Sequence, residues 1–187
     1  IGANGFLGKK LVSALKGQGF STLRVTSRQI EYDVKDTAIW TYGTPPPDLL
    51  QHARIWINCA FNLGSGFDNL ANLNRLLKAR CDQRFIQIST NAVLSYVTRP
   101  EDTKCSYRRG GEDYARIKAA MDRAVQRQVP KGDYSLVYPT IVVGQCAEWE
   151  RVLTSIASFE HVHLKEAGDV RVDWVEINDA VSQIAAL

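Results

Sequence analysis

The sequence predicts an α/β fold in which a parallel β-sheet is covered by helices on both faces. Short apolar or β-branched runs alternate along the chain with longer segments whose leucines recur at helical spacing. The first of these longer segments follows directly on a glycine-rich turn, residues 2–8, as in a strand-to-helix unit that binds phosphate. Strands that alternate with helices form parallel sheets, because each helix carries the chain back to the same end of the sheet.

With Ile1 before it, the glycine-rich turn gives the stretch Ile1-Gly2-Ala3-Asn4-Gly5-Phe6-Leu7-Gly8 and places three glycines at two intervals of three residues. Leu7, Leu11 and Leu15 then share one helical face, and Gly17 and Gly19 predict where the helix ends. Glycine lets the backbone approach a pyrophosphate closely, and the helix N-terminus attracts its charge. The spacing is not the usual GxGxxG of dinucleotide-binding turns, so on this feature alone a flexible turn without a ligand is the alternative.

The other elements follow from short apolar runs, leucine periodicity and turn residues. We predict helices from Asp68 to Arg80, Gly111 to Gln128 and Glu148 to Phe159, and a last helix capped by Asn178 or Asp179. The segment from Glu31 to Val34 is expected to precede a further helical stretch, and Pro45 to Pro47 to form a rigid connector. Predicted strands run from Ser21 to Thr26, Arg54 to Ala60, Phe85 to Thr90, Tyr134 to Tyr138 and Val170 to Ile177.

Composition indicates one globular domain. The chain has 187 residues, of which 45% are hydrophobic and 23% charged. A net charge of +3 without a basic run argues against nucleic acid as a partner, and no apolar run reaches the ~20 residues of a membrane span. The four cysteines include no CxxC pair, which favours a reduced, cytoplasmic protein.

Tyr114 and Lys118 lie four residues apart on a predicted helix, so both side chains project from one face. A nearby ammonium is expected to lower the pKa of the phenol and make it a proton donor or acceptor at neutral pH. A YxxxK pattern also occurs by chance as an exposed pair. A strand that ends in Ser89-Thr90 and the glycine-rich turn favour the functional interpretation.

Taken together, these residues resemble the extended short-chain dehydrogenase/reductase family, which contains nucleotide-sugar epimerases, dehydratases and reductases. The resemblance implies a Rossmann-type, doubly wound parallel sheet, a nucleotide-sugar substrate and a homodimer. It makes Thr90, Tyr114 and Lys118 the catalytic residues: Tyr114 moves a proton on the substrate oxygen, Thr90 orients that oxygen, and Lys118 holds the nicotinamide ribose. The cofactor-binding residues that it implies are Gly2, Asn4, Gly5, Phe6, Leu7, Gly8, Asp33, Val34, Cys59, Ala60, Ser89, Lys118, Tyr138, Pro139 and Ile141.

The cofactor is expected to be NADP, with NAD possible. NAD-binding units carry an acidic residue about 20 residues after the glycines, where it binds the ribose 2′-hydroxyl. Here that position is occupied by Thr26-Ser27-Arg28. The hydroxyl of Ser27 and the guanidinium of Arg28 suit a 2′-phosphate, unless Arg28 is only a solvated loop charge.

Departures from the family pattern limit which of the family's reactions are expected of this chain. Asn91-Ala92 follow Thr90 where dehydratases of the family carry an acidic pair, which leaves reduction or epimerisation. Tyr138 stands where arginine is common, and Leu94-Ser95 replace a usual tyrosine-glycine. The rival interpretations are a non-catalytic NADP-binding protein, such as a redox sensor or assembly factor, and an inactive remnant.

The two ends of the chain shape the domain prediction. Only Ile1 precedes the glycine-rich turn, so the first strand is expected to be missing. The chain ends soon after Asp179, so residues 1–187 are expected to form a Rossmann domain in which the substrate-binding portion only begins, after about residue 144.

Two further sets of residues receive a structural interpretation. His161 and His163 could face one side of a strand, but no third ligand lies near them in sequence, so no metal site is predicted. Trp40, Trp56, Trp149 and Trp174 are expected to be core or interface residues.

Overall fold

The computed structural model describes residues 1–27, 36–93, 111–144 and 174–187. Its helices are α1 (Phe6–Gly17), α2 (Asp68–Ala79), α3 (Gly111–Gln128) and α4 (Ile177–Ala185). Two short 3₁₀ helices span Asp48–His52 and Leu63–Ser65. The strands are β1 (Arg24–Thr26), β2 (Thr37–Ile39), β3 (Ile55–Asn58), β4 (Arg84–Ile88), β5 (Tyr134–Val137), β6 (Ile141–Val143) and β7 (Trp174–Glu176).

All described strand pairs are parallel: β1 with β2, β3 with β4, β4 with β5, and β6 with β7. The backbone of Ile1 lies between β1 and β3. Its nitrogen donates to the Ile57 carbonyl at 2.6 Å, and its carbonyl accepts from the Cys59 N–H at 2.9 Å. Gly2 then donates to the Val25 carbonyl at 2.9 Å. The order is therefore β2–β1–Ile1–β3–β4–β5, and the glycine-rich turn leaves the sheet where the strand order reverses.

Helices cover both faces of this sheet. Trp56 and Phe85 are buried against α2 and α3 on one face, where Leu73, Leu76, Met121 and Val125 complete the apolar core. Their strand neighbours Ile57 and Ile86 point to the other face and pack with α1 and α4. The alternation of side chains along β3 and β4 thus builds two cores, and the predicted doubly wound parallel sheet is confirmed.

Several predicted boundaries are wrong in detail. Strands β3, β4, β5 and β7 end one or two residues before the predicted ends, and β1 begins only at Arg24. Residues 170–173 of the predicted last strand lie outside the described residues. Residues 37–39 form strand β2 rather than a helix, because Thr37 to Ile39 pair with Arg24 to Thr26 along the edge of the sheet. The cap of α4 is Glu176, whose carboxylate accepts from the Asn178 N–H at 2.6 Å, and not Asn178 or Asp179. The predicted helix at 148–159 lies outside the described residues.

The tryptophans divide into buried and exposed positions. Trp40 and Trp56 belong to the core as predicted, and each indole N–H finds a backbone carbonyl, Thr44 at 3.1 Å and Leu50 at 2.8 Å. Trp174 is 64% exposed and is not a core residue, and it lies opposite the exposed Ile141 where β7 pairs with β6. Trp149, His161 and His163 lie outside the described residues. Within the described part of the chain, no helix is long and apolar enough to cross a membrane.

Candidate active site

At Gly2 and Gly8 the glycine-rich turn is packed too tightly for a side chain. Gly2 has φ of 77°, and a Cβ there would lie 2.7 Å from the Ala60 nitrogen. A Cβ on Gly8 would lie 2.2 Å from the Gly2 carbonyl oxygen, so the first turn of α1 rests directly on the loop before it. The N-cap of α1 is Gly5, which makes no side-chain cap, and the first turn carries no acidic residue. A bare, positively polarised helix N-terminus beside a close backbone cradle fits a dinucleotide pyrophosphate.

The turn is tied to its neighbours by short contacts. Asn4 Nδ2 donates to Thr26 Oγ1 at 2.8 Å, which joins the turn to the end of β1. Phe6 and Leu7 pack into the core shared by α1 and α4. A Cβ on Gly144 would lie 3.2 Å from the Phe6 ring, so the chain after β6 passes beside the turn. Ser27 is exposed at the end of β1, and Arg28, Asp33 and Val34 lie outside the described residues.

Buried amides hold the carboxyl ends of β3 and β4 together. Asn58 Nδ2 donates to Gln87 Oε1 at 2.9 Å, and Asn58 Oδ1 accepts from the Ala60 N–H at 3.2 Å. Gln87 Nε2 donates to the Ile88 carbonyl at 3.1 Å. These bonds fix the backbone at the edge of the sheet where Cys59, Ala60 and the end of β4 lie. Fully satisfied buried amides hold a unique geometry because any displacement would leave a polar group unpaired.

Helix α3 meets the end of β4 through three polar contacts. The Thr90 hydroxyl lies close enough to that of Tyr114 to lower its pKa as a hydrogen-bond partner would. One turn later, Lys118 Nζ donates to the Ile88 carbonyl at 2.9 Å. One further turn along, Asp122 Oδ2 accepts from Ser89 Oγ at 2.6 Å. The spacing of four residues places Tyr114, Lys118 and Asp122 on one stripe of the helix, and we call these three residues the polar stripe.

Phe61, which follows Ala60, packs against the polar stripe. Its ring meets the Tyr114 ring edge-on, with centroids 4.9 Å apart and planes at 84°. The Lys118 ammonium lies 4.8 Å from the Phe61 centroid and 5.9 Å from that of Tyr114. Phe61 therefore connects the segment that touches the glycine-rich turn to the YxxxK pair.

Burial controls the electrostatics of the site. Desolvation lowers the pKa of Lys118 to about 8, although the nearby Asp122 carboxylate opposes the shift. Desolvation also raises the pKa of Tyr114 above its ordinary value, against the effect of the Thr90 hydrogen bond. The expectation that Lys118 lowers the pKa of Tyr114 is therefore wrong for the protein alone. The ammonium is aimed at the Ile88 carbonyl, and the loss of water around the phenol outweighs any attraction.

Asp122 carries the buried negative charge of this cluster. Burial raises the pKa of its carboxyl group, and the Ser89 hydrogen bond and the Lys118 charge counteract that shift. Burial, followed by the Asp122 carboxylate, raises the pKa of Tyr138 to about 12. The Tyr138 hydroxyl lies close enough to act on the Asp122 carboxyl group as a hydrogen-bond partner, which also counteracts the rise in the pKa of Asp122. The carboxylate thus faces three ionisable groups, Lys118, Tyr138 and Tyr114.

The structure brings most of the residues singled out in the sequence to one edge of the sheet. The glycine-rich turn touches Cys59 and Ala60, and Thr90, Tyr114 and Lys118 stand beside them. Tyr138 and Pro139 run alongside, since the Pro139 carbonyl accepts from the Asn91 N–H at 3.1 Å. Ile141 starts β6 and is exposed. In the described part of the chain, no three His, Cys, Asp or Glu side chains group as metal ligands would.

Sequence reasoning did not identify Asn58, Phe61, Gln87 or Asp122. The signal for Asp122 was present, because it lies four residues after Lys118 and so continues the stripe that begins at Tyr114. Asn58 and Gln87 carried a weaker signal as amides inside otherwise apolar strands. Phe61 carried none, since its contacts depend on how the loop after β3 folds back against α3.

The sequence model of the NAD-dependent epimerase/dehydratase family matches residues 1–187. The chain belongs to that family. The predicted resemblance is confirmed, and so is the Rossmann-like fold, because solved structures of epimerases, dehydratases and reductases superimpose on nearly the whole chain. No curated protein sequence matches the chain significantly.

Three solved structures to which this chain is similar illustrate the shared fold. The NAD-dependent NDP-hexosamine 5,6-dehydratase TunA, of tunicamycin biosynthesis, is 18% identical with a TM-score of 0.71, and the match covers 99% of this chain and 69% of that one. UDP-N-acetylglucosamine 4-epimerase from Bacillus cereus is 15% identical with a TM-score of 0.66, over 98% and 70%. Human epimerase family protein SDR39U1, solved with NADPH, is 15% identical with a TM-score of 0.64, over 98% and 66%. At these identities the likeness shows the fold.

Proposed function

We propose that the chain binds a nicotinamide dinucleotide at the glycine-rich turn and acts on a nucleotide-linked sugar as an epimerase or reductase. The observation that carries the proposal is the position of Tyr114, beside the Thr90 hydroxyl and at the same sheet edge as the turn. Ligands of open α/β sheets bind at this edge, where the strand order reverses. Membership of a family named for NAD-dependent epimerases and dehydratases supports the same conclusion.

The cofactor is proposed to lie across the edge of the sheet. Gly2, Gly5 and Gly8 would let the backbone of the turn approach its pyrophosphate closely. A Cβ at Gly2 or Gly8 would clash with neighbouring backbone and displace the turn. Lys118 would donate to the nicotinamide ribose hydroxyls. The remaining proposed contacts are Asn4, Phe6, Leu7, Ser27, Arg28, Asp33, Val34, Cys59, Ala60, Ser89, Tyr138, Pro139 and Ile141.

When bound, the cofactor supplies hydride transfer, and the chain positions the reactants and moves one proton. Tyr114 is proposed as the proton donor or acceptor at the substrate oxygen. Its raised pKa keeps the phenol protonated at neutral pH in the protein alone, which suits donation. Thr90 would hydrogen-bond the same oxygen and fix its orientation. Asn91 and Ala92 supply no acid or base beside Thr90, which disfavours dehydration.

The substrate class and assembly are proposed on similar grounds. The fold matches proteins whose names give a UDP-sugar epimerase and an NDP-hexosamine dehydratase. We propose that residues 1–187 form one cofactor-binding domain in which the substrate-binding portion begins after about residue 144. We also propose a homodimer located in the cytoplasm.

The decisive test of the acid/base role is Tyr114→Phe. Removal of the phenolic hydroxyl should lower turnover by roughly 10²–10⁴-fold. Binding of the cofactor, followed by nicotinamide fluorescence, should change little. Substrates would be drawn from a panel of UDP- and dTDP-linked sugars and keto-sugars, with product stereochemistry read by NMR.

Tyr42→Phe is the matched control. It also removes a tyrosine hydroxyl that bonds a buried side chain, but that side chain is Asn69, whose Oδ1 accepts at 2.9 Å in the first turn of α2, and not Thr90. Turnover should be retained in this variant. Full activity of Tyr114→Phe would contradict the proposed mechanism, and cofactor binding by the unaltered chain without turnover on any sugar would favour a non-catalytic NADP-binding protein.

The cofactor preference has its own test. We propose that NADPH binds several-fold more tightly than NADH, because Ser27 and Arg28 replace the acidic residue that would bind a 2′-hydroxyl. Arg28→Ala should reduce the ratio of the two dissociation constants toward one. Equal affinities in the unaltered protein would refute the preference and leave NAD as the cofactor.

A further inference from the structure

We propose that Asp122 is a positioning residue of the site, which acts on the Lys118 ammonium through its charge and on the end of β4 through Ser89. The inference rests on the proposed function for its catalytic meaning. The dependence of the Lys118 pKa on the charge of Asp122 does not rest on the proposed function. Neither the YxxxK pattern nor the glycine-rich turn includes Asp122.

The geometry sets Asp122 apart from an ordinary helix residue. Asp122 is 3% exposed and Lys118 is 4% exposed, and the two residues lie one helical turn apart on the same stripe of α3. The hydrogen bond from Ser89 Oγ measures 2.6 Å, within the range of about 2.5–2.7 Å typical of a hydroxyl bound to an ionised carboxylate. A charged Asp122 next to a buried ammonium stabilises the ammonium form.

The alternative that Asp122 merely stabilises α3 is weak. On a helix, an acid placed four residues before a base is the favourable order, and here the base comes first. Asp122 Oδ1 is buried, and the carboxyl group interacts with the Tyr138 hydroxyl and the Lys118 ammonium, so it faces ionisable groups of the site. Such an arrangement is expected where a charge is retained for its effect on neighbouring groups.

The contacts also order the backbone next to the reacting groups. Ser89 precedes Thr90, whose hydroxyl acts on the pKa of Tyr114. Ile88, which precedes Ser89, gives its carbonyl to Lys118. Asp122 therefore holds Ser89, which lies between Ile88, the partner of Lys118, and Thr90, the neighbour of Tyr114.

The test follows the titration of Lys118 by NMR of its labelled side chain, with the signal assigned from Lys118→Arg. In Asp122→Asn the amide can still accept from Ser89, but the charge is gone. The pKa of Lys118 should fall by about one pH unit or more. In Ser89→Ala the charge remains and the hydrogen bond is lost, so the pKa of Lys118 should move by much less. Asp82→Asn, at an exposed position, is the matched control and should leave the titration unchanged.

The groups that face Asp122 must be monitored together, because Tyr138, Tyr114 and Lys118 all respond to its charge. Cys59, which faces Lys118, should be replaced by alanine in a parallel sample to remove its contribution. If Asp122→Asn folds but leaves Lys118 unshifted, the inference is refuted. If Lys118 shifts as expected but no nicotinamide dinucleotide binds at any pH, the inference stands and the proposed function fails. Should Asp122→Asn not fold, Asp122→Glu keeps the charge and must leave the Lys118 pKa close to its original value.

Discussion

Two neighbouring stripes of helix α3 point into the protein and differ in what burial does to them. The polar stripe is Tyr114, Lys118 and Asp122. The other, which we call the apolar stripe, is Ile117, Met121 and Val125, each at most 2% exposed. Both repeat every four residues, so the helix geometry is the same for each. The apolar stripe packs into the core against α2 and β4, and the polar stripe meets the carboxyl end of β4.

The difference shows which residues stabilise the fold and which are retained at a cost. Burial of a large apolar side chain stabilises the folded chain by about 1.5–3 kcal/mol. A shift in the pKa of Lys118 from 10.5 to about 8 means that the fold disfavours the ammonium by roughly 3 kcal/mol. Burial of the polar stripe therefore does not increase the free energy of unfolding, and a chemical role for it is the simpler explanation.

The largest expected effect separates the stripes by stability. Met121→Ala should lower the free energy of unfolding by about 3 kcal/mol, because it leaves a cavity under a side chain that is 1% exposed. The Lys118 titration and the dissociation constant for NADPH should hardly change. Chemical denaturation measures the first, and NMR and fluorescence measure the others.

Met121→Leu is the matched control, since it nearly conserves volume and should cost less than about 1.5 kcal/mol. A large shift in the Lys118 titration in Met121→Ala would mean that the two stripes are coupled through the packing of α3. The comparison between them would then lose its meaning.

The next effect is a pH dependence of the unfolding free energy that Lys118, in the polar stripe, should produce. The folded chain has the lower pKa for Lys118, so between about pH 8 and pH 10 the unfolded chain binds more protons at this residue, and stability from this group rises with pH. Relative to Lys118→Met, the unaltered chain should gain about 2 kcal/mol of unfolding free energy across that window. The raised pKa of Cys59 acts in both proteins and cancels to first order.

Lys78→Met provides the control, because Lys78 is an exposed lysine on α2. Its unfolding free energy should follow the unaltered chain in parallel from about pH 8 to pH 10. Parallel curves for Lys118→Met as well would show that the ammonium of Lys118 is not disfavoured by the fold.

Much of the architecture was predictable because it depends on local periodicity. Leu7, Leu11 and Leu15 share the buried face of α1, and Leu73 and Leu77 share that of α2, as their spacing indicates. The glycine-rich turn was predictable from residue type, since only glycine fits at positions 2 and 8. Strand β2 was missed because three residues, Thr37 to Ile39, are too short to show a period of two.

The site was predictable in its residues and not in its electrostatics. The spacing of Tyr114 and Lys118 placed both on one face of α3, as the structure shows. The pKa of Tyr114 shifts upward because water is excluded around it, and exclusion of water depends on Phe61 and the other neighbours, which come from distant parts of the sequence. Sequence spacing reports which groups share a face. It does not report how dry that face is.

The smallest expected effect tests whether dryness strengthens the contacts of the polar stripe. Phe61 meets the Lys118 ammonium at 4.8 Å in a partly buried position, and Phe67, which is 50% exposed, lies under the Arg116 guanidinium at 5.5 Å. A double-mutant cycle of Phe61→Leu with Lys118→Met should give a coupling free energy of about 1 kcal/mol.

The same cycle with Phe67→Leu and Arg116→Met is the matched control, and it should give about half that value or less, because water screens the exposed pair. Equal coupling free energies in the two cycles would mean that water screens the Phe61–Lys118 pair as strongly as the exposed Phe67–Arg116 pair. The shift of the Lys118 pKa would then need another cause than the loss of water around the polar stripe.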